Sequence, residues 1–165
     1  MNKNFYRDFI LVFVITATFD VLMNIMPPPF GAKLLRQYFN EHTLLAAALI
    51  AGFAGVLAFV PIAYLINYKK ANPKNIAIIF LVSAFIGFPM EYSGLFPLLK
   101  KYQYDKLPRY QSFLADGLSG MMVASVFWVL TIPYKNRSKL YFMVPLWISI
   151  FIINHILKMK NLIMH

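Results

Sequence analysis

The chain has 165 residues, 60% apolar and only 13% charged, with a mean hydropathy of +0.62. An average globular domain is about 45–50% apolar and about 25% charged. Disorder, a nucleic-acid-binding arm and an ordinary cytosolic enzyme are therefore excluded. The length accommodates one domain. Cysteine is absent, which removes disulfides, thiolate metal sites and cysteine nucleophiles. A net charge of +10 does not indicate a nucleic-acid partner here, because every Lys and Arg lies outside the apolar runs, with no basic and aromatic binding face.

Those runs fall in chain order as follows. Residues 9–26 (Phe9–Met26) form the first, stopped by Pro27, Pro28 and Pro29, which cannot continue a helix. Its basic start at Lys3 and Arg7 resembles a signal peptide, but Thr16-Ala17-Thr18 is a poor cleavage site, so an uncleaved segment is expected. No lipidation motif is read, since Asn2 stands where myristoylation needs glycine. The second run is 43–67 (Thr43–Asn67), followed by Tyr68-Lys69-Lys70; the third is 76–96 (Ile76–Phe96), with Pro89 and Gly94 towards its end. The fourth is 111–133 (Gln111–Pro133), and the fifth and shortest, 140–157 (Leu140–Leu157), carries Pro145 near its start. A helix of about 20 apolar residues crosses a bilayer core of roughly 30 Å. The sequence therefore predicts an all-α polytopic transmembrane bundle of five spans, a single integral membrane domain over 1–165, with the lipid bilayer as its partner. No internal repeat is evident. The Lys and Arg on either side of such a bundle tie at eight each, so the positive-inside rule leaves orientation open.

Three of the six carboxylates, Asp20, Glu91 and Asp116, fall inside these runs. An ionisable residue within a membrane is costly unless paired or hydrated. At about 1.5 Å per residue, all three sit roughly 8–9 Å below the same face. Each continues a small or polar stripe at four-residue spacing: Thr16, Asp20 and Asn24; Ser83, Gly87 and Glu91; Ser112, Asp116 and Gly120. Residues four apart share a helix face, so these stripes should look towards neighbouring helices. The expected substrate-binding set is Asp20, Asn24, Glu91, Tyr92, Asp116 and His155. The bland alternative is that these groups only cap or join helices.

Ala47, Ala51 and Gly55 form a small-residue stripe in the second run, which reads as helix packing or, alternatively, as a homo-oligomer interface. On that reading Gly55→Leu should force the backbones apart, whereas Gly55→Ala should be mild. Glu41-His42 is too sparse for a metal site, and no H-E-x-x-H, Walker or nucleophile-elbow pattern occurs. No cofactor is expected, and enzyme activity is the less favoured outcome. Transport of protons, cations or a small polar solute is the leading expectation. A non-catalytic assembly protein of a membrane and an intramembrane lipid-modifying enzyme are the alternatives.

Overall fold

Among the described residues, four of the five apolar runs form long helices and the fifth is helical over 143–149. The computed structural model describes residues 3–25, 41–92, 109–149 and 152. The helices are α1 (Lys3–Ile25), α2 (Glu41–Leu65), α3 (Pro73–Tyr92) and α4 (Arg109–Thr131). A 3-10 segment, Tyr134–Leu140, follows α4 and leads into a short helical stretch at 143–149. The start of α3 is fixed by local chemistry: the Asn72 side chain accepts from the Asn75 backbone N–H at 2.8 Å, with Pro73 in the first helical position, where its missing N–H is harmless.

The bundle is built from two tight helix pairs, α1 with α2 and α3 with α4, packed on each other through α2–α3 and α1–α4 contacts. The two pairs use the same device. In the first, Phe13 and Thr16 on α1 lie against Gly52 and Gly55 on α2; in the second, Phe80 and Ser83 on α3 lie against Gly117 and Gly120 on α4. An aromatic ring and a hydroxyl three residues apart thus fit over two glycines three residues apart. A Cβ added at Gly52 would meet the Phe13 ring at 2.7 Å, and one added at Gly55 would run into the Thr16 side chain. The core fills the space between the pairs, with Val12, Ile15, Val56, Phe59, Phe127 and Trp128 among its buried members.

Several expectations are corrected by this architecture. Among the described residues the five-span membrane bundle is replaced by an all-α bundle of four long helices. Among the described residues one window, Ala48–Leu65, is long and apolar enough to cross a membrane, and 33% of it is buried within the fold. The apolar stretches of α3 and α4, Pro73–Pro89 and Asp116–Thr131, are shorter. The fifth run opens instead as the end of the 3-10 segment, with Leu140 and Met143 buried in the core. The multi-pass membrane localisation, the lipid bilayer as partner, and the transporter or channel role depended on those spans and fall with them. So do the assembly-protein and lipid-enzyme alternatives in their membrane form. The homo-oligomer interface through Ala47, Ala51 and Gly55 is corrected as well, because Gly55, with its neighbour Gly52, is covered by α1 of the same chain.

Apolar side chains also remain on the outside. Leu45, Leu49, Phe53 and Leu57 recur every fourth residue along α2 and are exposed, forming a continuous apolar stripe of the kind that marks contact surfaces.

The glycine seats revise the expectation for Gly55→Ala. Alanine favours a helix over glycine by roughly 1 kcal/mol, but its Cβ has no room beside Thr16. Overpacking of this kind costs about 1–3 kcal/mol, so Gly55→Ala should lower the thermal midpoint, and Thr16→Ala in the same chain should recover part of the loss. Gly120→Ala should behave alike against Ser83. An unchanged or raised midpoint for Gly55→Ala would show that the helices separate freely.

Candidate functional site

Polar interactions concentrate at the end of the bundle where α1 begins, α2 ends, α3 begins and α4 ends. Their centre is Asp8, whose side chain is fully buried. A buried carboxylate must be hydrogen-bonded and charge-compensated, and Asp8 has three donors. Arg7 Nη2 approaches Oδ1 at 3.0 Å, the Tyr68 hydroxyl donates to Oδ2 at 2.9 Å, and Lys69 Nζ lies 3.1 Å from Oδ2. Burial by itself raises the Asp8 pKa; the hydrogen bonds from Arg7, Tyr68 and Lys69 and the Lys69 charge outweigh it and hold the carboxyl below its ordinary value. Tyr68 responds oppositely. Burial and the bond to Asp8 push its phenol up to about 12, so it remains a proton donor.

The turn between α2 and α3 carries two of these donors and is itself pinned from two sides. Trp128, fully buried on α4, donates its indole N–H to the Tyr68 carbonyl at 2.6 Å. Asn75, buried at the start of α3, donates its amide to the carbonyls of Asn67 and Lys70 at 2.9 and 2.7 Å. Edge-on packing of the Tyr68 ring against Phe59, with centroids 4.9 Å apart, holds it from below.

Around this knot the surface is basic. Arg7, Lys69, Lys70 and Lys74, with Lys135, Arg137 and Lys139 from the 3-10 segment, are all exposed. Asp8 is the single carboxylate at this end among the described residues, and it is already engaged. Beside the knot lies an open cleft of about 400 Å³ between the start of α1, the end of α2 and the turn.

The residues expected to form a site lie elsewhere. Asp20 on α1 and Asp116 on α4 are half-buried towards the opposite end. Asp116 packs on Gly87, where an added Cβ would meet its carboxyl carbon at 2.6 Å. Within the three stripes, Thr16 lies against Gly55 and Ser83 against Gly120, whereas the side chains of Asn24, Glu91 and Ser112 lie outside the described residues. Asn24, Glu91 and Tyr92 lie on the helical backbone of α1 and α3, but their side chains, and all of His155, lie outside the described residues. Among the described residues no group of His, Asp and Glu is arranged to hold a metal ion.

Asp8 is not marked out in the sequence as Asp20, Glu91 and Asp116 are, because it precedes the first apolar run, which begins at Phe9. The signal was the pairing of Arg7-Asp8 with Tyr68-Lys69, two charged dipeptides that helices running in opposite directions bring to one end. Comparisons with protein-family models, with curated proteins and with solved structures returned no match.

The Asp8 knot has a defined pH signature. A carboxyl whose folded pKa is depressed stabilises the fold above its unfolded pKa of about 4, and that stabilisation is lost as pH falls through the folded value. The urea midpoint should therefore drop from pH 5 towards pH 2. Asp8→Asn should be destabilised at pH 7 by about 1–3 kcal/mol, the range for loss of buried charged hydrogen bonds, and should lose most of this acid limb. An acid limb of full size in Asp8→Asn would assign it to other carboxylates.

Proposed function

We propose that this chain is a non-catalytic binding module whose basic end engages an acidic protein partner. The observation that carries the reading is the charge at that end: seven exposed cations drawn from α1, the α2–α3 turn, the start of α3 and the 3-10 segment, against one carboxylate already engaged inside. A one-signed patch of this size attracts an opposite surface and speeds its encounter. A non-catalytic role is supported by the state of Asp8, whose oxygens are both occupied by Arg7, Tyr68 and Lys69 and so are poorly placed to exchange protons with a substrate. The exposed apolar stripe on α2 offers a partner the desolvated contact area that long-range charge does not provide.

The test uses a fluorescent poly-L-glutamate peptide and an uncharged Gly-Ser peptide of equal length. The acidic peptide should bind at low ionic strength, and binding should weaken steeply as salt rises. Reversing three cations together, Lys135→Glu, Arg137→Glu and Lys139→Glu, should lower the affinity by about tenfold or more without changing the melting temperature. Equal binding of both peptides, or an affinity indifferent to the triple reversal, would overturn the reading.

A further inference from the structure

We propose that the cleft beside Asp8 is a binding site for a single carboxylate attached to an apolar, aromatic-sized body. Three observations meet there.

The first is an unbalanced charge. Arg7 and Lys69 both contact Asp8, at 3.0 and 3.1 Å, so two cations share one anion and a unit of positive charge is left over. The anion is buried, whereas the Arg7 and Lys69 side chains are 66% and 46% exposed. The surplus is thus presented outward, and Lys69 forms part of the cleft wall.

The second is the composition of that wall. Phe5 and Ile66 give it apolar surface, while Asn4 and Asn67 supply amides able to donate to a carboxylate. Tyr64, 80% exposed, also lines the cleft. A large ring so little used by the core is available to cover a ligand. The cleft is open, about 400 Å³ in volume, and combines apolar surface with polar groups, the mixture by which small-ligand sites fix orientation.

The third is preorganisation. Phe5 stacks on Phe59 with centroids 5.6 Å apart, and the turn bearing Asn67, Tyr68 and Lys69 is clamped by Asn75 and Trp128. The walls are held before any ligand arrives, which reduces the ordering cost of binding.

The carboxylate could come from a small aromatic acid or from the C-terminus of a chain that ends in an aromatic residue; the recognition chemistry is the same. Calorimetric titration of the full chain with 3-phenylpropionate, with N-acetyl-Gly-Gly-Phe, and with the primary amide of each separates these sources. At least one acid should bind in the millimolar range or better, at least about tenfold more tightly than its amide. The tighter acid identifies the source. Tyr64→Ala, at a position too exposed to matter for folding, should weaken the acid severalfold. Lys69→Gln should abolish the preference for acid over amide while Arg7 and Tyr68 still hold Asp8, as its retained melting transition would show. The triple reversal Lys135→Glu, Arg137→Glu and Lys139→Glu should leave this binding within about twofold, which separates its failure from that of the acidic-partner reading. Equal affinity for acid and amide, no heat of binding with either acid at millimolar concentration, or binding untouched by Tyr64→Ala would overturn the proposal.

Discussion

The Asp8 side chain is fully covered by protein, and the organisation of one whole end of the bundle follows from the need to compensate its charge. A buried carboxylate without partners would take up a proton or unfold its surroundings. Here its two oxygens draw in the neighbouring Arg7 and, across sixty residues of sequence, Tyr68 and Lys69. Those contacts fix the α2–α3 turn against α1. The turn's own carbonyls then become acceptors for Trp128 on α4 and Asn75 on α3. A single seven-residue turn, 66–72, is thereby tied to all four described helices, and removing the carboxylate loosens its hold on α1.

Away from that end, the helices are held by shape. The same arrangement of Phe and a hydroxyl over two glycines occurs in α1–α2 and again in α3–α4. The correspondence extends further along each pair. Asp20 lies seven residues after Phe13, as Gly87 lies seven after Phe80; Ala51 precedes Gly52, as Asp116 precedes Gly117. Each pair therefore carries one carboxylate at an equivalent level, on the first helix in one case and the second in the other. The structure thus holds a duplicated packing unit where no repeat was evident in the sequence. Four matched positions dispersed over forty or more residues do not register as similarity. They become visible once the contacts show which glycine seats which ring.

The helices themselves were legible because their apolar runs are long and are ended by strong local signals, Pro27 after the first and Tyr68-Lys69-Lys70 after the second. Their environment was not legible. An apolar run of about 20 residues describes both a membrane span and a helix packed among others, since both are selected for side chains that leave water. What separates them is which neighbours the side chains find. That information lies in contacts such as Gly55 with Thr16 and not in the composition of either helix. At Gly55 the small-residue stripe does mark a packing position, against Thr16 of the same chain; assigning it to a second copy failed because composition cannot tell which helix occupies the groove. The polar knot was missed for a related reason: Asp8 stands one residue before the first apolar run, where a carboxylate looks like ordinary solvated flank, and only the turn folding back over it makes it buried.

The charge at the basic end is accordingly of two kinds. Lys135, Arg137 and Lys139 stand exposed on the 3-10 segment, and groups so placed act mainly through their long-range field, which salt screens over about 10 Å at 0.1 M ionic strength. Arg7 and Lys69 are different, because ion pairing to a buried anion fixes where their charge sits. Fixed groups lose little freedom on meeting a ligand, and the low-polarity protein beneath them screens less than water does. On the proposed readings, recognition of one anionic group at a defined place falls to Lys69, which lines the cleft, and attraction of an extended acidic surface to the 3-10 cations. Asp8 links the two: it holds the turn that shapes the cleft, and by neutralising only one of its two cations it leaves that cleft positively charged.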